Sequence, residues 1–152
     1  MVKNLNLQKK VLAVLKKDFV ETALITGASS GIGRGIAIAF ASAGARVAIN
    51  FPTDAQRRDA EQVLEEIKDE GGEGLLVKGD VTSETEVLDM VTIVLNQFGQ
   101  IDALVNNAGI MPLSLLSAGR TDEWDEMIDI NIKGVLYGID AVLQHMLSLI
   151  HI

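Results

Sequence analysis

The sequence predicts an α/β fold of three layers, a doubly wound parallel sheet between two layers of helices. Three observations predict it. From residue 20 onward, short apolar runs alternate four times with amphipathic helical stretches. Up to the fourth run the connections are two to six residues long. A glycine-rich loop, TGASSGIG (26–33), joins the first run to the first helix. Right-handed crossovers fold such a series into a sheet covered on both faces.

VETALIT (20–26) is the first expected strand. GIGRGIAIAFASAG (31–44) is a helix whose Ile32, Ile36, Phe40 and Ala43 recur at helical spacing and are expected to face the core. ARVAINF (45–51) is the second strand. Thr53 and Gln56 have the spacing of a capping box for a helix over 54–70, with Ala60, Val63, Leu64 and Ile67 on its inner face. Gly71 and Gly72 stop that helix. GLLVKGD (74–80) is the third strand. Ser83 and Glu86 form a second capping box, opening a helix over 84–98 that buries Val87, Met90, Val91, Val94 and Leu95. IDALVNN (101–107) is the fourth strand. A loop of about a dozen residues follows. Asp122 is then expected to cap a long helix from Glu123 to Met146 or beyond.

The chain divides into an N-terminal extension (1–19), the α/β domain (20–146) and a tail (147–152). In the extension, Lys9, Lys10, Lys16 and Lys17 flank the apolar VLAVL, a pattern of a short amphipathic helix or a leader rather than a signal peptide. The tail, LSLIHI, matches one reading of a transposon-end adapter used in DNA library preparation. It is expected to be non-native sequence on a truncated gene.

Composition narrows the function. The chain has 152 residues, no cysteine and two histidines, His145 and His151. Disulfides, iron–sulfur clusters and thiolate zinc sites are excluded, and no metal site is expected. A net charge of -8 repels phosphate backbones, so nucleic acid is not an expected partner. No apolar run reaches membrane-spanning length, so no membrane partner is expected and the cytoplasm is the expected compartment.

The glycine loop carries the chemistry. Between a strand and a helix, Gly27 lets the chain turn, Gly31 lets the backbone approach a pyrophosphate, and Gly33 lets the helix pack closely on the sheet. The free N–H groups of the helix start then face the negative charge. A dinucleotide site is the reading this context supports.

The spacing, T-G-x3-G-x-G, resembles the cofactor motif of the short-chain dehydrogenases/reductases. Three further stretches match that family in order: Asp80-Val81 after the third strand, NNAG (106–109), and NIKG (131–134). Its members that act on sugars or on acyl-carrier-bound 3-oxo substrates are the most similar. The resemblance implies a Rossmann-type fold with seven strands, of which this chain supplies the first four, and a homo-oligomeric parent, dimer or tetramer. It implies cofactor contacts from Thr26, Gly27, Ser29, Ser30, Gly31, Ile32, Gly33, Asn50, Asp80, Val81, Asn107, Ala108 and Gly109. Asp80 would meet the adenine, Thr26 would brace the region, and 107–109 would flank the ribose and nicotinamide. Asn131 is the one implied catalytic residue, holding a water in the proton relay. Taken alone, Asn131 reads as a polar residue that bends or solvates its helix.

NADP is preferred over NAD. An acidic residue ending the second strand grips the 2′-hydroxyl of NAD and repels the 2′-phosphate of NADP. Here Asn50 stands at that end, and Asp54 comes four residues later. Asn50 and Thr53 are candidate donors to a phosphate, with Arg34, Arg57 and Arg58 as nearby cations. Ser30, before Gly31, argues the other way, because many NADP-using relatives have a basic residue there.

Hydride transfer to a carbonyl, or from an alcohol, also needs a proton donor or acceptor. The family supplies it with a Ser, a Tyr, and a Lys four residues after the Tyr, all beyond the long helix. The one tyrosine, Tyr137, is followed at that spacing by Ala141 and reads as a packing aromatic. The expected function is therefore the cofactor-binding half of an NAD(P)-dependent oxidoreductase of small carbonyls or alcohols, inactive by itself. Two readings stand beside it: a non-catalytic nucleotide-binding or sensing module, and a methyltransferase, which would want an acidic end to the second strand. With a bare fourth strand at its edge, the half-sheet is expected to be marginal or prone to aggregate.

Overall fold

The computed structural model describes residues 20–149. The four expected strands form one parallel sheet in the order β3-β2-β1-β4. They are β1 (Thr22–Ile25), β2 (Arg46–Phe51), β3 (Glu73–Lys78) and β4 (Ala103–Val105). In the β1–β2 ladder Leu24 lies opposite Ala48, and in the β1–β4 ladder opposite Leu104. Each strand is shorter than the apolar run that announced it. The residues just past the strand ends, Thr26 and Asn106 among them, belong instead to the loops that build the site.

Period-two alternation divides the core. Ala23, Ile25, Val47, Ile49 and Phe51 face one side, against α1 (Gly31–Ser42) and α2 (Arg57–Asp69). Leu24, Ala48 and Val77 face the other, against α3 (Glu84–Phe98) and the long C-terminal helix. All four residues of β1 are buried, as expected of a strand between two helical layers.

The inner face of α1 differs from expectation. Its buried residues are Gly33, Ala37 and Ala41, while Ile32 is 78% exposed. Of the expected stripe, Ile36 and Phe40 pack half-buried against the core, but the fully buried face is the stripe of small residues beside them. A Cβ on Gly33 would lie 2.4 Å from the carbonyl oxygen of Gly27 and 2.5 Å from Nδ2 of Asn107. Only a glycine admits that approach. The expected inner faces of α2 and α3 hold except that Leu64 and Leu95 are only partly buried, and Phe98 is buried in addition.

The helix starts follow the sequence in part. Ser83 caps α3, its hydroxyl accepting from the Glu86 N–H at 3.4 Å. The Glu86 carboxylate accepts from the N–H of Asp80 at 2.9 Å, not from its cap residue. Thr53 makes no cap bond: its hydroxyl donates to the Gln56 side chain, and Asp54–Gln56 form one 3₁₀ turn before α2. Asp122 is not a cap either. It lies in the first turn of α4 (Thr121–Ile128), whose N-cap is Arg120.

The expected long helix is α4 joined to α5 (Gly134–Leu149) by a π-helical turn, Asp129–Lys133. Helical backbone runs past Met146 through Leu149, so residues 147–149 of the tail continue α5; the extension 1–19 and residues 150–152 lie outside the described residues. Tyr137 is half-buried against the α3 side of the core, and His145 Nε2 accepts the N–H of Ile101 at 3.2 Å. β4 pairs with β1 alone and is the sheet edge, its three residues half-buried. No described helix is long and apolar enough to cross a membrane.

Gly33→Ala should destabilise the chain by about 1–3 kcal/mol through overpacking against backbone. Gly35→Ala is the control: nothing lies within 4 Å of the added carbon, and a stabilisation of about 0.5–1 kcal/mol is expected. Urea unfolding of both variants measures the contrast.

Candidate functional site

The strand order dictates where a ligand fits. The chain leaves β1 toward β2 and β3, then returns to the opposite side of β1 as β4. The carboxyl ends of β1 and β4 therefore feed loops that diverge, and the crevice between diverging loops is the usual ligand site of an open parallel sheet. A cleft of about 390 Å³ lies there.

Hydrogen bonds fasten its two loops together. The Thr26 hydroxyl donates to the Val105 carbonyl at 3.3 Å and accepts the N–H groups of Asn107 and Ala108 at 2.9 and 3.0 Å. Asn107 Nδ2 donates to the carbonyls of Thr26 and Gly27 at 2.8 and 3.2 Å. Thr26 is 4% exposed, so these are largely desolvated bonds.

The glycine loop ends at an open helix start. Gly31 has φ +56°, a conformation L side chains rarely adopt, and a Cβ there would meet nothing within 4 Å. Ser30 is the N-cap of α1 but makes no side-chain cap bond, and the first turn holds no acidic residue. The orphan N–H groups are left to a ligand, and the helix dipole adds partial positive charge.

Gly27, Ser29, Ser30, Ile32, Asn50, Asp80, Val81, Asn107, Ala108 and Gly109 all line the cleft. Of the other sequence candidates, Thr26, Gly31 and Gly33 shape it from behind or at its rim. Pro52, Gln56, Ile110 and Ile130 also line it and were missed. Gln56 had been assigned to a cap. Ile130 sits beside NIKG, but only the π-helical turn brings it to the cleft.

Two polar candidates have other partners. Asn50 is 1% exposed. Its Oδ1 accepts the Gly27 N–H at 3.1 Å, and its Nδ2 donates to the carbonyls of Gly79 at 2.9 Å and Val77 at 3.2 Å. No amide proton remains for a phosphate, so Asn50 is a fastening between the glycine loop and β3. Asn131 accepts the N–H of Ile110 at 2.9 Å and donates to the Ile110 carbonyl at 2.8 Å. Both ends of its amide thus clamp the loop after β4 to the π-helical turn.

Two of the three nearby arginines, Arg34 and Arg57, are also engaged. Arg34 pairs with Glu66. Arg57 lies 3.4 Å from Asp54, and Lys78 Nζ lies 2.7 Å from the same carboxylate. Lys78 holds the Asp54 carboxyl below the usual carboxylate range, with a smaller contribution from Arg57. The Asp80 carboxylate accepts from the N–H and the hydroxyl of Thr82, both at 2.9 Å. Among the described residues no group of three His, Cys, Asp or Glu side chains is placed to hold a metal.

Thr26→Val leaves two N–H groups without their acceptor and should cost about 2 kcal/mol or more, whereas Thr26→Ser should be close to neutral. Denaturant midpoints of the two variants test the difference.

Comparison with known proteins agrees with this geometry. A sequence model of the family described as short chain dehydrogenase matches residues 21–150. A 3-oxoacyl-(acyl-carrier-protein) reductase, FabG, of Staphylococcus epidermidis is 45% identical over 127 residues, covering 84% of this chain and 51% of that protein. An uncharacterized oxidoreductase of Listeria monocytogenes is 45% identical over 127 residues, covering 82% and 49%. A crystal structure described as a putative short-chain dehydrogenase/reductase from Burkholderia xenovorans superposes with a TM-score of 0.77 at 29% identity, covering 83% of this chain and 52% of that one. The chain thus spans about half the length of the curated relatives it matches. By sequence motif, strand order and the matched family model, the chain belongs to the short chain dehydrogenase family.

Proposed function

We propose that this chain is the cofactor-binding half of an oxidoreductase that moves a hydride between NADP(H) and a carbonyl or alcohol. The observation that carries it is the open, uncapped start of α1 at Gly31, facing the cleft that Thr26 and Asn107 hold together. The pyrophosphate is assigned to that helix start, the adenine to the side of Asp80 and Val81, and the nicotinamide to the side of Ala108 and Gly109. The cofactor would supply the hydride. The residues described here bind it, orient it and keep water from one face.

The NADP preference rests on charge. No carboxylate ends β2, and Asp54, the first one beyond it, is already paired with Lys78 and Arg57. Asn131 is assigned a positioning role, through Ile110, on the loop that borders the nicotinamide side. The proton-transferring Ser, Tyr and Lys are assigned to the remaining length of the parent, because Tyr137 packs half-buried against the core and Lys133 is paired with Asp129 at 2.6 Å.

A 3-oxoacyl thioester is the favoured substrate. The Staphylococcus relatives are named for that reaction, and the loop after β4 exposes Met111, Leu113, Leu115 and Leu116, an apolar wall suited to an acyl chain. A homo-oligomeric parent is favoured by α5, which leaves Leu136, Ile139 and Leu143 exposed at helical spacing.

Titration with NADPH, read by nicotinamide fluorescence, should give saturable binding, and Gly31→Val should weaken it roughly tenfold or more. Adding an acetoacetyl thioester should give no turnover. Absence of binding would overturn the dinucleotide assignment. Steady reduction of the thioester by the 152-residue chain would overturn the division into halves.

A further inference from the structure

The match to the family begins at residue 21 and gives the extension 1–19 no role. The extension differs in charge from the rest of the chain. It holds five lysines and a single acid, Asp18, in a chain with 13 basic and 21 acidic residues. Leu7, Val11, Leu15 and Phe19 recur at intervals of four, the spacing of one helix face. A second feature lies where the extension joins the domain. Val20, Ala39, Phe40, Ala43 and Ala45 line an apolar hollow of about 270 Å³ beside the C-terminal end of α1. Ala39 and Ala43 are exposed, and their small side chains leave room for larger ones. The Glu21 carbonyl accepts the N–H of Arg46 at 2.8 Å, so the chain enters the sheet against the turn that follows α1. The charge around this hollow is negative. The last turn of α1 has no basic residue to meet the negative end of its dipole. The Glu70 carboxylate accepts the Ser42 hydroxyl at 3.1 Å and has no cation partner among the described residues.

We propose that the extension docks on the C-terminal end of α1 in its own chain, with Leu15 and Phe19 in the hollow and Lys16 and Lys17 beside Glu70 and the helix end. Connectivity selects this occupant. Phe19 is bonded to Val20, which lines the hollow, and Leu15 is five residues away, a reach of at most about 17 Å. So short a tether gives the extension a high effective concentration at this surface, which an extension from a second copy lacks. The apolar side chains leave water, and the lysines meet a helix end that has no cation of its own. The far end of α1, at Gly31, borders the cleft, and twelve residues of helix, about 18 Å, separate the two. The extension therefore steadies α1 without touching the cleft, whatever ligand the cleft takes.

The chain has no cysteine, so an introduced pair forms its only disulfide. In the 152-residue chain, Leu15→Cys with Ala39→Cys should oxidise within one molecule. It should do so about tenfold faster than Leu15→Cys with Thr92→Cys, whose second site is exposed on α3 in the opposite helical layer. Leu15→Asp and Ala39→Lys should each lower Tm by about 3–6 °C, and the two together should lower it little further. Circular dichroism verifies the fold of each variant. Equal oxidation rates for the two pairs, or additive losses in Tm, overturn the proposal. Disulfide-linked dimers in place of the intramolecular bond overturn it in favour of a second copy. Loss of the intramolecular bond on phosphatidylglycerol vesicles that retain the chain overturns it in favour of a lipid surface.

Discussion

The end of the molecule that carries the cleft depends on the contact between Gly33 and Asn107. The missing side chain at Gly33 lets α1 descend onto the loop after β4 until the Asn107 amide reaches the carbonyls of Thr26 and Gly27. Those carbonyls lie past the end of β1, where no ladder partner satisfies them. Asn107 supplies that partner, and Thr26 returns the bond by accepting two N–H groups from the opposite loop. The start of α1, whose first N–H groups have no side-chain cap, opens on the same cleft. Such a helix start suits the anion proposed for it, because its N–H groups lack protein acceptors.

A similar economy of polar groups explains the end of β2. A buried asparagine there faces a choice between ligand and protein: its two amide protons go to the carbonyls of Val77 and Gly79, with the Met90 sulfur 2.7 Å from the amide nitrogen, and its Oδ1 accepts the Gly27 N–H. Fastening the glycine loop to β3 fixes the separation of those two elements, and hence the width of the cleft. The next turn, with Gln56 in the cleft lining and Asp54, Arg57 and Lys78 joined by exposed ion pairs, borders the outer end of the cleft. Fixed geometry lies at the centre of the sheet and adjustable charge at its rim.

The strand order was legible in the sequence because four strand–helix repeats with short links leave few right-handed arrangements. The glycine loop was legible because its context, a strand before and a helix after, is local. What was not legible depended on tertiary partners. Ile32 looked like a core residue because periodicity weighs size, whereas the close contact of α1 selects the small residues at 33, 37 and 41. Asn50 looked like a phosphate ligand because nothing in a linear sequence shows that the Val77 and Gly79 carbonyls need its amide. The π-helical turn at 129–133 has no spacing signature; it is visible only once Asn131 is seen clamped to Ile110.

The two loops that form the cleft do not rest on equal supports. β1 lies inside the sheet with every residue buried, while β4 has three half-buried residues and a single neighbour. Leu104 borders an open groove along Ile139, Val142 and Leu143 of α5, so part of its apolar surface is still in contact with solvent. The junction at Thr26 and Asn107 therefore ties the best-supported strand to the least-supported one. A dinucleotide lying across both loops would add its contacts to the same junction, and by mass action it favours the state in which β4 is docked. Binding of the proposed cofactor would thus be coupled to the order of the sheet edge through one pair of side chains, Thr26 and Asn107.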